Sequence, residues 1–236
     1  MNNTENKAQQ VEAMFDGIAH RYDFLNHLLS FGIDKLWRKK LVKGILKYNP
    51  VNVLDVATGT GDLAFALLKR SPKVSVVGVD VSEKMLAFAK QKIDKRNLNQ
   101  RFTLVRSSAE ELSFPESTFD AAMVSFGVRN FYDTQKGLSQ IGKSLKSGGA
   151  IHVLEFTKPR GWFFRGIYRI YFLRILPLIG GKVSKHNNAY SYLPNSVETF
   201  AEREEFLELL EKSGFVNASY RILSFGIAAI YQAEKS

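Results

Sequence analysis

Val53-Leu54-Asp55-Val56-Ala57-Thr58-Gly59-Thr60-Gly61-Asp62 joins three local signals in one stretch. Val53 to Val56 has the pattern of a short buried strand, Ala57 to Gly61 is a glycine-containing turn, and a helical run continues through Leu68. In an open α/β sheet a ligand lies across the carboxyl ends of the strands, and small residues there let the backbone approach it closely. Gly59, Thr60 and Gly61 are therefore candidate cofactor contacts. A dinucleotide-binding loop would read G-x-G-x-x-G and aim a helix N-terminus at a pyrophosphate. This loop reads D-x-A-x-G-x-G instead, with Ala57 at the first glycine position.

Working outward, strand-like and helix-like patterns alternate. Val74 to Val79 is a second strand ending at Asp80, and Ser82 stands where an N-cap belongs, ahead of the amphipathic series Met85, Leu86, Phe88, Ala89 and Ile93. Phe102 to Val105 and Phe119 to Ser125 are the third and fourth strands. Leu138, Ile141 and Leu145 mark a helix stopped by Gly148-Gly149, followed by a fifth strand over Ile151 to Phe156. Strands separated by helices imply a parallel sheet covered on both faces. The end differs: Phe200 to Leu210 is helical, Gly214 stops it, and Ala218 to Leu223 and Ile227 to Gln232 form a hairpin across Ser224-Phe225-Gly226. This periodicity fits a Rossmann-like methyltransferase, and equally a dinucleotide-binding or flavodoxin-like protein.

A chain of 236 residues with 45% hydrophobic content suits one large α/β domain. It has no cysteine, so disulfides, thiolate metal sites and cysteine nucleophiles are excluded. No signal peptide is expected from the polar start at Met1 to Val11, and no apolar run approaches the ~20 residues that span a bilayer. The net charge of +10 attracts nucleic acid, anionic headgroups or acidic ligands, unless it is an evenly solvated surface. The charge is uneven: Phe156 to Val197 contains no Asp or Glu, yet holds Lys158, Arg160, Arg165, Arg169, Arg174, Lys182 and Lys185. Within it, Trp162 through Ile179 mixes aromatics with arginines at helical spacing, as an interfacial helix would, or as a helix packing over the acceptor pocket would. No nucleic-acid module is recognisable. His20, His27, His152 and His186 lack metal-ligand spacing, and no metal is expected.

Four blocks in order carry a resemblance. They are Met14 to Asp23 with Asn26, Ser30, Gly32 and Trp37-Arg38-Lys39; the loop Ala57 to Asp62; Ser125-Phe126-Gly127-Val128-Arg129-Asn130-Phe131 with Leu145 to Gly149 and Leu154-Glu155-Phe156; and Tyr190 to Ser196 with Gly214-Phe215 and Ser224 to Ile227. The chain resembles the ubiquinone/menaquinone biosynthesis C-methyltransferases over nearly its whole length. The resemblance implies a class I methyltransferase fold, a mostly parallel seven-stranded sheet ending in an antiparallel hairpin. It implies S-adenosylmethionine as cofactor and a polyprenyl quinol as acceptor. The short N-terminus tilts the expectation to demethylmenaquinol, with a benzoquinol or another lipophile as alternatives, and an RNA-associated role as the non-enzymatic one.

The family's cofactor positions map onto Thr60, Asp80, the pair Ser108-Ala109 and Ser125. Asp80 would accept hydrogen bonds from ribose hydroxyls, unless it only caps the next helix; Ser108 and Ala109 would face adenine, unless they are a plain polar loop. Ser125 would lie below the methionine moiety. A ring carbon attacks only when a ring oxygen is deprotonated, so the acceptor must be the quinol, and alignment of carbon, methyl and sulfur supplies much of the acceleration. Arg129 is expected to stabilise the developing phenolate and Asn130 to fix the ring oxygen, with water or a carboxylate taking the proton, because Arg stays charged. The competing reading pairs Arg129 with an acidic residue that holds the loop. Tyr22, in a lid before the first strand, would touch the acceptor or shield the methyl, or else pack the lid onto the core; Tyr190 and Tyr192 invite the same two readings. The expected layout is an N-terminal helical lid over 1–50, a cofactor core over 51–156, a helical acceptor- or membrane-facing insertion over 157–200, and a C-terminal helix and hairpin over 201–236. Location is expected to be cytoplasmic, peripheral at the inner membrane face, with oligomeric state open and a homodimer one option.

Overall fold

A computed structural model describes residues 3–21, 30, 32–162, 166 and 187–236. Seven helices, α1 (Asn3–Ile18), α2 (Ile33–Ile45), α3 (Asp62–Leu68), α4 (Glu83–Lys95), α5 (Thr134–Ser144), α6 (Asn187–Thr199) and α7 (Glu204–Lys212), are found among the described residues. The strands are β1 (Asn52–Val56), β2 (Ser75–Asp80), β3 (Phe102–Arg106), β4 (Phe119–Ser125), β5 (Leu145–Phe156), β6 (Phe215–Leu223) and β7 (Ala228–Lys235). They form one sheet in the order β3-β2-β1-β4-β5-β7-β6. The first five strands are parallel, and β7 runs antiparallel between β5 and β6.

Strand order reverses between β1 and β4, which opens a crevice at their carboxyl ends. Alternation builds the two faces of the sheet. Leu54, Ala122 and Val124 face the cluster that holds Leu138, Phe206 and Leu210 of α5 and α7. Val53, Ala121 and Met123 face Leu41, Leu67 and Ile93 of α2, α3 and α4. Gly61 adopts φ 86° just before α3, and a Cβ there would lie 2.9 Å from Phe65. Glycine is thus required by both conformation and the close packing of α3 on the sheet.

Ser82 caps α4 as expected: its Oγ accepts from the Met85 N–H at 3.1 Å. The same hydroxyl donates to Asp16 at 2.5 Å and so ties α1 to α4. Ser82→Ala removes both links and is expected to cost about 1–2 kcal/mol, read as a lower urea midpoint at unchanged slope.

Two helix boundaries differ from the periodicity. The helix expected to run to Gly148 ends at Ser144, whose Oγ bonds the Ile141 carbonyl at 2.7 Å, and Leu145 already pairs with Phe119 in the sheet. The two glycines lie inside the register shift of β5 rather than at a helix end. The helix expected from Phe200 begins only at Glu204. Arg203, at φ 59°, turns the chain so that Phe200 and Phe206 both bury, with ring centroids 5.3 Å apart. Its backbone N–H donates to the Tyr231 hydroxyl at 2.8 Å, docking the break on β7.

Candidate active site

The crevice between β1 and β4 holds a chamber of about 710 Å³ of atom-free space, part of it open to solvent. Its wall comes from the ends of four strands. Ala57 and Gly59 follow β1, Asp80 ends β2, Ser107 to Glu110 follow β3, and Ser125 to Gly127 with Asn130 to Tyr132 follow β4. Val11 and Phe15 of α1 close one side. An ion pair between Arg106 and Glu12 at 2.7 Å and the Ser82–Asp16 bond fasten that helix over the strand ends.

Asp80 is held at both oxygens. Oδ2 accepts from the Gly59 N–H at 2.7 Å and Oδ1 from the Ser82 N–H at 2.9 Å. A carboxylate has about four acceptor positions, so both oxygens retain capacity for ligand hydroxyls. Burial pushes its carboxyl up to about 6, with the Ser82 and Gly59 N–H groups pulling the other way. Beneath the loop, Asp55 is buried and accepts from the Thr58 hydroxyl at 2.6 Å; burial pushes it up to about 7 despite that bond. Ser108 and Ser125 place buried Oγ atoms in the wall with no hydrogen-bond partner among the described residues. Hydroxyls left without partners inside a chamber fit a ligand that carries its own polar groups. Ala109 also lines the wall.

Thr60 and Gly61 do not line the chamber. Thr60 is buried behind it, with Oγ1 and the carbonyl accepting from Lys92 Nζ at 3.0 and 3.1 Å. Lys92 also meets Asp62, which Arg38 approaches at 3.7 Å, while Arg38 pairs with Asp34 one helical turn away. The Thr60 end of the loop is thus braced by an ionic network, and Gly59 alone of the three candidates faces the ligand space.

Arg129 does not line the chamber either; its Nη1 donates to Glu155 Oε1 at 2.8 Å and to the Phe126 carbonyl at 2.5 Å, and its Nε to Ser196 at 3.3 Å. Arg129 is 7% exposed at its side chain and Glu155 0%, so this is a buried ion pair. Pairing with an acid to hold the loop, the competing reading, is what the structure shows. Burial raises the Glu155 carboxyl and the Arg129 charge opposes that rise. The acid lay in the block Leu154-Glu155-Phe156, but nothing in the order of residues says that β5 ends beside the β4 turn.

Asn130 does line the chamber. The Tyr192 hydroxyl of α6 donates to its Oδ1 at 3.0 Å, so Tyr192 meets the site through Asn130. Tyr22 lies outside the described residues, as does most of the Trp162–Ile179 segment; of Tyr190 only the backbone is described. Sequence reasoning missed Phe15, Val11, Met85, Glu110, Phe131 and Tyr132 as wall residues. Glu110 is anchored by the Asp133 N–H at 3.1 Å, and burial raises its carboxyl. A buried acid beside Ser108 was the one local signal among them.

The sequence profile of the ubiE/COQ5 methyltransferase family matches residues 3–235. The chain belongs to the ubiE/COQ5 methyltransferase family. It is 46% identical to the ubiquinone/menaquinone biosynthesis C-methyltransferase UbiE of Geobacter sulfurreducens, covering 97% of this chain and 90% of that one. It is 40% identical to the demethylmenaquinone methyltransferase of Bacteroides fragilis, covering 99% and 95%. A solved S-adenosylmethionine-dependent methyltransferase from Thermotoga maritima superposes with a TM-score of 0.65 at 18% identity, covering 95% of this chain and 99% of that one. That likeness shows the fold: a seven-stranded Rossmann-like methyltransferase sheet closed by an antiparallel hairpin. The methyltransferase uses S-adenosylmethionine, and two of the motif blocks meet in space where the Trp37 indole N–H donates to Ser224 Oγ at 2.9 Å.

Proposed function

We propose that this methyltransferase adds a methyl group to a ring carbon of a polyprenyl quinol, with demethylmenaquinol as the acceptor. The observation that carries the reading is the mixed lining of one chamber. Asp80, Ser108, Ser125 and Asn130 bring polar groups to its wall, while Phe126, Phe131, Tyr132, Phe15 and Val11 bring aromatic and apolar surface. A flat aromatic diol suits such a wall. The names of the Geobacter and Bacteroides relatives point to the same chemistry. Asp80 would hold the ribose hydroxyls, Ser108 and Ala109 would meet adenine, Ser125 the methionine portion, and Gly59 would let the backbone approach.

When bound, S-adenosylmethionine supplies a methyl group on a positively charged sulfur and leaves as a neutral thioether that needs no proton. The residues' work is therefore alignment and charge control. With Oδ1 of Asn130 taken by the Tyr192 hydroxyl, its amide nitrogen is the group left to donate to the ring oxygen as negative charge develops there. Water takes the hydroxyl proton and then the ring proton, since Arg129 is committed to Glu155. Arg129 acts through position: it bonds the Phe126 carbonyl and so holds the turn that presents Asn130. The layout proposed for the chain makes 1–50 the lid, 51–156 the cofactor core, 157–200 the acceptor-side insertion and 201–236 the closing helix and hairpin; α1 packing over the strand ends supports the lid.

Peripheral contact with a membrane belongs to the same reading. No helix among the described residues is long and apolar enough to cross one. Trp162 is 86% exposed and Phe225 74%, and Phe225 belongs to the β6–β7 turn on the sheet edge where β5 ends. Exposed aromatics on the carboxyl edge beside basic residues suit a lipid surface from which a prenylated acceptor is drawn.

Labelled S-adenosylmethionine supplied with chemically reduced demethylmenaquinone is expected to give a labelled product, and the oxidised quinone none. Transfer to both would remove the phenolate step. Transfer only to a benzoquinol would place the protein on the ubiquinone side of the family. Transfer to neither, with S-adenosylhomocysteine binding demonstrated, would overturn the acceptor assignment.

A further inference from the structure

We infer that Ala57 and Gly127 are a matched steric pair that positions the Gly127–Asn130 turn over the cofactor chamber. Ala57 stands at φ 54°, in the left-handed region that glycine occupies freely and alanine only against a steric clash of its Cβ. Gly127 stands at φ −115°, a conformation open to any residue. Backbone preference alone would put the glycine at 57 and the alanine at 127. The chain has the reverse.

Contact explains the inversion. A Cβ built on residue 127 would lie 2.4 Å from the Ala57 Cβ, far inside any real contact. Its next neighbours would be Val124 Cγ1 at 3.4 Å and the Ala57 Cα at 3.8 Å, both tolerable. The Ala57 methyl is therefore the one atom that forbids a side chain at 127. Neither side can easily yield. The Thr58 N–H is bonded to the Val79 carbonyl at 2.9 Å, and the Phe126 N–H to the Leu154 carbonyl at 2.8 Å. The Phe126 ring is itself packed 4.5 Å from Phe156, centroid to centroid.

Both residues line the chamber, one on the loop after β1 and the other on the turn after β4. The Gly127 carbonyl accepts from the Asn130 N–H at 2.9 Å, so a displacement of residue 127 is handed directly to Asn130. The methyl at 57 thus acts as a spacer between the cofactor loop and the acceptor turn. Glycine at 127 is the condition for that spacer to fit, and not a requirement of its own backbone.

The test is a reciprocal swap, read by calorimetric binding of S-adenosylhomocysteine and by thermal melting. Gly127→Ala is expected to weaken binding at least about tenfold and to lower the melting midpoint, as overpacking does. Ala57→Gly removes the spacer and is expected to bind more weakly than the parent, whereas Ala57→Gly/Gly127→Ala is expected to recover at least about threefold of the binding lost in Gly127→Ala, because the obstructing methyl is gone. Parental binding by Gly127→Ala would overturn the pair. So would a double variant no better than Gly127→Ala. Should Gly127→Ala fail to fold, a double variant that folds and binds supports the pair, and one that also fails to fold overturns it.

Discussion

Arg129→Ala is expected to lower stability by about 3–5 kcal/mol, a fall in thermal midpoint on the order of 10 °C for a chain of this size. The guanidinium is the positive partner of Glu155, which is 0% exposed at its side chain. Removing it leaves a carboxylate in the core with the Phe156 N–H at 2.8 Å and the Arg129 N–H at 3.4 Å as its remaining donors. The pH dependence separates this cause from simple loss of packing. Burial already holds the Glu155 carboxyl above its ordinary value, and losing the opposing charge raises it further. A carboxyl raised on folding binds more protons in the native state, so its contribution is present at low pH and lost as pH rises. The stability gap between Arg129→Ala and the parent should therefore narrow as the pH falls. A gap that stays constant would mean that the buried charge is not the source. Arg129→Lys should recover only part of the loss, because an ammonium cannot reproduce the planar fork that spans Glu155 and the Phe126 carbonyl.

Asp80→Ala is expected to weaken S-adenosylhomocysteine binding by at least about 100-fold, the worth of two charge-assisted hydrogen bonds. The loss includes the loop itself, since the Gly59 N–H gives up its partner at 2.7 Å. Because burial pushes Asp80 up to about 6, the parent's affinity should fall as pH drops through that value, by at most about tenfold per unit. In the proposed binding mode ribose hydroxyls donate to the ionised form, and protonation removes an acceptor. Stability of the unliganded protein runs the other way: a carboxyl raised on folding favours the native state on acidification through the same window. Asp80→Asn should abolish the pH slope of binding. A slope that persists in that variant would assign the titration to another group, with Asp55, pushed up to about 7 beneath the loop, the first to test.

Much of this was legible along the chain because it is local. Strand β4 matches the hydrophobic run Phe119 to Ser125 end to end, and the Ser82 cap follows from a hydroxyl ahead of an amphipathic series. Asp80, Ser108, Ala109, Ser125 and Asn130 share the wall of one chamber because each follows or ends a strand, and in a parallel sheet those positions converge on one edge. Order in sequence says which residues reach that edge. It does not say which way their side chains turn. Thr60 is drawn back by Lys92, and Arg129 is drawn back by Glu155. Each of those partners comes from an element far along the chain. Whether a charged side chain faces a ligand or a buried counter-charge depends on the second group, since the cost of leaving either one alone in the core is several kcal/mol. The alanine at 57 and the glycine at 127 are likewise unremarkable when read one at a time, and only the 2.4 Å that would separate a Cβ at 127 from the Ala57 Cβ couples them. The alternation of strands and helices was therefore set by local pattern and the reaction class by the ordered motif blocks, whereas the facing of the site residues was settled by contacts between distant segments.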